Sequence, residues 1–264
     1  MGKKRALASF LLIIVCLIYH GTASAQMVQH KFSEDGKLIA AEPLKEEKLS
    51  DPLVDEEVTL IPISQDNSIF LSQDRKSLVV LGKVCLREGM LEFLVCSKNS
   101  KEHESIIATK TKPSLIHVGL LAMGAEPGKP AQFTPKFVAA SGPRIDITFR
   151  WLDKDGKQQE AKAEEWVQEV GSKTQMSSHW VFTGSMFRRL EGNKNQYMAD
   201  VTGEIVSVSN FPAAVLDVPI ESSNDNSDLL FQAFSEKIPP VGTSITMILQ
   251  KREKQSDKQS SSDQ

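Results

Sequence analysis

GKVCLREGMLEFLVCSKNSKEHESIIATKTKPSLIHVGLLAMG, residues 82–124, decides how this chain is read. Leu78, Val79, Val80, Leu81, Val84 and Leu86 mark a strand over about 78–87, and Leu91, Phe93, Leu94 and Val95 a second over about 90–97. Glu88-Gly89 between them is a turn signal, because glycine supplies the positive φ of a tight hairpin. Ser100 then offers an N-cap, and Glu102 and Glu104 fill a first turn where the helix dipole favours negative charge, so 101–110 is predicted as a helix. Pro113 opens a second helix that Gly124 stops. Leu115, Ile116, Val118, Leu120, Leu121 and Met123 leave that helix apolar on almost every side, which predicts burial, and Gly119 allows close packing. The stretch therefore predicts a hairpin feeding a buried helix pair.

Outward from it, Ile145, Ile147, Phe149 and Trp151 alternate as a strand with one buried face, with a return strand over 157–162 after the turn at 153–156. A short helix is expected over 163–170, a strand over 179–182, and a hairpin joining 197–199 to 204–209. One helical turn is expected over 211–216 and a closing strand over 243–250, where Ile245, Met247 and Leu249 alternate. A short edge strand is expected over 58–63. Strands and helices do not alternate strictly, so the expectation is α+β, a mostly antiparallel sheet with a buried helix pair in a single domain.

The N-terminus reads as an address. Lys3, Lys4 and Arg5 precede an apolar run from Ala6 to Tyr19, and Ala23-Ser24-Ala25 supplies small residues for cleavage, the pattern of a secretory signal peptide. The run is shorter than the roughly 20 residues that span a bilayer, and no second long apolar run follows. The mature chain is thus expected to begin after Ala25, to lack a transmembrane segment, and to be periplasmic or extracellular. Residues 26–57, with nine acidic residues against four lysines, read as a poorly ordered acidic lead; residues 58–250 hold the globular domain and 251–264 a polar tail. The full chain carries −3 and residues 1–25 carry +3, so the mature chain carries −6. That balance argues against a nucleic-acid partner, which needs a basic face.

Two cysteines remain after cleavage, Cys85 and Cys96. A turn at Glu88-Gly89 sets Cys85 opposite Glu92 and leaves the thiols about 13 Å apart along the strand, too far for a bond that needs Cα atoms within about 7 Å. A turn centred on Met90-Leu91 would pair them. Between positions 92 and 104 lie Glu92, Cys96, Lys101, His103 and Glu104, types that could act together. Cys96 with His103 is a candidate thiolate–imidazole pair, with Glu104 beside it and Glu92 or Asn99 to orient the ring. His103, Glu104 and His117 are weak candidates for a metal, but Ile107 stands where a zincin helix needs its second histidine. Lys101 at a helix start is a candidate anion contact. Trp151, Trp166 and Trp180 sit in amphipathic patterns and are expected in the core. Nucleotide-loop and nucleophile-elbow patterns do not occur.

Gly82-Lys83-Val84, Gly89-Met90-Leu91-Glu92, Lys101-Glu102-His103-Glu104-Ser105 and the run His117–Gly124 together resemble the YdjY-type domain of exported bacterial proteins. Trp180-Val181-Phe182-Thr183-Gly184-Ser185 and Ala199-Asp200-Val201-Thr202-Gly203 extend the resemblance over about 78–250. It implies a secreted or periplasmic module and brings no reaction with it. Some relatives carry a ferredoxin-like label, but without a four-cysteine run no iron–sulfur cluster is expected here. The functional expectation is a non-enzymatic binding or envelope-accessory module with a protein or small-ligand partner at the cell envelope. The alternative is a metal- or thiol-dependent activity built on Cys96, His103 and Glu104. The two differ in whether those side chains converge in one cleft.

Overall fold

The computed structural model describes residues 49–189, 195–221 and 229–253, with the backbone of Lys31–Phe32 and Leu38–Ile39. Those two short strands pair antiparallel within a separate unit, residues 1–48. The expected signal peptide, most of the acidic lead and the tail beyond 253 lie outside the described residues. The end of the lead, residues 49–57, belongs to the main unit. Leu53 N–H donates to Thr246 Oγ1 at 2.9 Å, and Arg150 donates to Asp55 at 2.9 Å.

Eight strands carry the main unit: β1 Ser77–Val84, β2 Phe93–Ser97, β3 Ser105–Thr109, β4 Arg144–Leu152, β5 Trp180–Phe182, β6 Glu204–Ser207, β7 Leu216–Asp217 and β8 Ser244–Lys251. They are hydrogen-bonded in the order β8-β4-β5-β7-β6-β2-β3-β1, and β1 returns to β8, so the sheet closes into a barrel. Closure removes the open edges a sheet must otherwise protect. The β2/β3 and β6/β7 pairs are parallel and the rest antiparallel. The protein is therefore mostly β, a mixed barrel with few short helices. The predicted α+β class holds only in the coarse sense that both elements are present.

Register explains the core. Val84 pairs with Ile107, Ile107 with Val95, Val95 with Val206, Val206 with Leu216 and Leu216 with Phe182, an apolar chain from strand to strand round much of the wall. Leu78, Leu249 and Ile147 form a second layer, and Val80, Met247 and Phe149 a third. All are buried. An eight-stranded barrel is just wide enough for side chains to fill it, and these fill it. The alternation expected at Ile145–Trp151 and at 243–250 is the inward set of β4 and β8. Trp166 and Trp180 are fully buried, and Trp180 Nε1 donates to the Ser207 carbonyl at 2.9 Å.

Helix α1, Pro113–Ala122, has Pro113 at its first turn. It ends in a paired cap: Ala125 N–H donates to Leu120 O at 3.0 Å and Gly124 N–H to Leu121 O at 2.9 Å, with Gly124 at φ 73°. Ile116 and Leu120 are buried, and a Cβ at Gly119 would overlap the Leu78 side chain. The all-round apolar pattern overstated its burial, since Val118 is 53% and Leu121 45% exposed.

Several expectations are corrected. The helix over 101–110 is a single 3-10 turn, Glu102–Glu104, followed by β3. Ile106 and Ile107 are fully buried there between β1 and β2, which favours β-branched residues over the helical alternative. There is thus no buried helix pair; α1 touches instead the short helix α2, Met198–Thr202. The hairpin of 78–87 with 90–97 does not form. Cys85 and Leu86 N–H both donate to the Ile106 carbonyl, at 2.8 and 3.4 Å, so β3 takes the edge that β2 was expected to occupy. β2 reaches β3 in parallel through residues 98–104 alone, where such crossings usually take about a dozen residues or more. The helix expected over 163–170 is a 3-10 turn, Ala163–Trp166, leading into the strand Val167–Glu169. The hairpin expected around 200–203 is α2, capped by Gly203 at φ 79°, and the turn expected over 211–216 ends in β7.

Candidate functional site

The short crossover folds residues 98–104 back beside the start of β2. Glu92 N–H donates to the Glu104 carbonyl at 3.2 Å, which brings the two ends of the crossover together. Glu204 opens β6 directly after the Gly203 cap and pairs with Cys96. The result is a half-buried corner holding Glu92, Glu104, Glu204 and Lys101. Lys101 Nζ lies 3.0 Å from Glu104 Oε1. It also sits 5.6 Å from the Phe93 ring centre and 5.9 Å from that of Phe211, two rings themselves 4.6 Å apart. Such contacts between an ammonium and ring faces are attractive.

Three carboxylates share one lysine here, and burial makes that costly. Glu92 is pushed up to about 7, first by burial, then by the charge of Glu104 and a hydrogen bond with it. Burial also raises Glu204, against the pull of Lys101, and its Oε2 is buried without a hydrogen-bond partner. Burial works to lower Lys101, but the hydrogen bond and charge of Glu104, with the charges of Glu92 and Glu204, carry it above its ordinary value.

Under the crossover lie the thiols. Cys96 is fully buried and Cys85 half-buried; neither is in a disulfide. Cys85 Sγ is 3.1 Å from the Ser105 carbonyl oxygen. The thiolate form of Cys96 is favoured first by the neighbouring Cys85 thiol, with smaller help from Ser105, the Lys101 N–H and Ser100. The Cys85 hydrogen bond, foremost among these, holds Cys96 down at about 7 despite burial, and the same bond with burial drives Cys85 up.

The histidines do not join this cluster. The His103 side chain is 75% exposed, its Nε2 3.6 Å from Glu104 Oε2 on the solvent side. His117 lies on α1, with Nδ1 2.9 Å from Tyr197 Oη and its ring edge-on to Phe182 and Tyr197 at 5.0 and 5.5 Å. Burial lowers its pKa, as for a hydrogen-bonded core histidine. Among the described residues no group of three or more His, Cys, Asp or Glu is arranged to hold a metal ion. Asn99, the other candidate to orient an imidazole, directs its N–H to Glu102 Oε1 at 2.9 Å.

The YdjY domain family matches residues 69–250, well over half of the chain. The chain belongs to the YdjY family. No curated protein and no solved structure matches it.

The YdjY span holds β1 to β7, nearly all of β8 and every residue of the Lys101 corner. Of the residues named from sequence, the crossover brings Glu92, Lys101 and Glu104 to one corner, while Cys96 is buried beneath it and the His103 side chain is turned to solvent. Sequence reading missed Glu204 and Phe211, which β6 and the loop after it deliver from more than a hundred positions away. Glu204 had a local sign: it is the one charge in Gly203-Glu204-Ile205-Val206-Ser207-Val208, a run that is otherwise apolar or small. Elsewhere on the YdjY domain, a groove of about 200 Å³ runs between residues 54–58 and the outer faces of β1, β4 and β8. Its cation, Arg150, is already held by Asp55 at 2.9 Å and Glu160 at 2.6 Å. Among the described residues no helix is long and apolar enough to cross a membrane.

Proposed function

We propose that this protein is an exported, non-enzymatic binding module that meets a protein or small-ligand partner at the cell envelope through the Lys101 corner. One observation carries the reading: His103 points to solvent while Cys96 is fully buried, so the candidate base and nucleophile share no cleft. Nucleophilic catalysis needs those groups within hydrogen-bond reach of each other and of a substrate. The corner suits recognition instead. Lys101, Glu104 and the exposed His103 present both signs of charge around an aromatic pair, and Glu92 and Glu204 stand behind them with unmet electrostatic demand.

The test is site-specific photo-crosslinking in cells that export the protein, with the probe at position 103 and a control probe at position 154 on the far turn. A discrete adduct from 103 alone, lost in Glu104→Gln, supports a binding face at this corner. Equal labelling from both positions, or no adduct from either, rejects it.

A further inference from the structure

Residues 127–143, between α1 and β4, form a hairpin rooted on β5. Gly128 N–H donates to the Phe182 carbonyl and Phe182 N–H to the Pro143 carbonyl, both at 2.9 Å, so each leg is tied to that strand. Lys129 and Ser141 exchange bonds of 3.0 and 2.9 Å, and Gln132 and Val138 bonds of 3.0 and 2.8 Å. Ala131, Ala140 and Val181 make a small core beneath the hairpin, separate from that of the barrel, and Phe137 packs on it. The tip beyond the last pair is open to water. Phe133 is 45% and Val138 48% exposed, and the Phe133 ring stands edge-on to Phe137 at 5.8 Å. The exposed aromatic is thus propped up by an anchored neighbour and kept out of the core below.

We propose that this hairpin tip inserts into the headgroup region of an anionic lipid bilayer. Lys129 and Lys136 are the charged residues of 127–143, and both are exposed, so the hairpin carries +2 on a chain of −3. At its base Glu126 and Arg144 offset each other. Salt screens exposed charges beyond about 8 Å, so the local +2 governs what the tip meets. An apolar point of Phe133 and Val138 flanked by cations has the chemistry of a segment that lies at a membrane interface. Lys129 sits three residues below Gln132, about 10 Å along the strand. With the Phe133 ring about 5–10 Å into the headgroup–acyl boundary, Lys129 stays level with the surface. The long stem of Lys136 lets its ammonium reach back to the phosphates. A protein partner fits less well, because the tip beyond the Gln132–Val138 pair is too small to supply the roughly 800 Å² a side of an ordinary interface.

The inference goes beyond the partner reading of the Lys101 corner and stands on other residues. The test sediments the chain from Gln26 onward with sucrose-loaded vesicles, since the apolar run of residues 6–19 would hold any vesicle by itself. The main unit begins at Leu49 and is whole in that chain. Binding is expected to vesicles of equal parts phosphatidylcholine and phosphatidylglycerol in about 0.1 M salt, and not to phosphatidylcholine alone. Lys136→Gln should weaken it about fivefold, the loss of one cation at an anionic surface, and Phe133→Ser at least as much. Both side chains are exposed, so both variants should melt with the natural protein. Lys154→Gln on the far turn and Glu104→Gln should bind as the natural protein does, the second keeping this site distinct from the corner. No binding to the anionic vesicles, equal binding to both kinds, or binding unchanged in Phe133→Ser overturns the proposal. A loss from Lys154→Gln as large as that from Lys136→Gln overturns it too, as diffuse charge attraction. So does a discrete protein adduct from a photo-crosslinking probe at position 133 without vesicle binding, which would assign the tip to a protein partner.

Discussion

At Glu92 the fold works against ionisation. The group ionises near 4.5 when free and near 7 in the folded state, so folded chains hold a proton that unfolded chains have lost between those values. Stability from this group is therefore present below about pH 4.5 and is lost as pH rises through 7. Glu92→Gln removes the loss. Compared with the natural protein, it should gain about 1–2 kcal/mol more at pH 8 than at pH 5, read from urea unfolding at the two pH values. An unchanged difference would show that Glu92 is ionised in the folded protein. His103 is the opposite case. With three-quarters of its side chain in water, His103→Ala should shift unfolding free energy by less than about 0.5 kcal/mol. A large fall in melting temperature would make it structural and weaken its place in the binding face.

At the scale of elements, α1 is held by the fit of Gly119 on Leu78. Gly119→Ala gains about 1 kcal/mol of helix propensity but forces a methyl into a buried leucine, a strain of about 1–3 kcal/mol. A net loss is expected in denaturant melts, larger for Gly119→Val. The ends of α1 were legible in sequence because Pro113 and Gly124 act locally. So were β4 and β8, whose alternation reports one wet face and one dry one. The 101–110 segment was not. Ser100, Glu102 and Glu104 carry the local marks of a helix start, and only Ile106 and Ile107 hinted at a strand. What decides the matter is non-local: β1 and β2 leave a slot between them that only an extended chain can fill. The same slot removed the expected hairpin. For the corner, the contiguous members could be named from residue types, but Glu204 and Phe211 depend on which strand lies beside β2, and no local pattern states that.

For the whole molecule, closure rests on β8, which pairs along β1 from Ser77 to Lys83 and along β4 from Ile145 to Arg150. A chain ending at Thr243 would expose two long apolar edges and the Met247 and Leu249 sites of the core. It is expected to be insoluble or to lack cooperative unfolding by circular dichroism. A soluble, cooperatively melting product would show that the remaining strands close without β8.

That dependence also sets a timetable. Ser77 and Gln250 meet across 173 positions, with their side chains 2.9 Å apart in the finished barrel. A ribosome making this chain delivers β1 long before β8, so the wall cannot seal until β8 has been made. Until then β1 and β4 lack the partner they share, and the nascent barrel stays open along its longest seam.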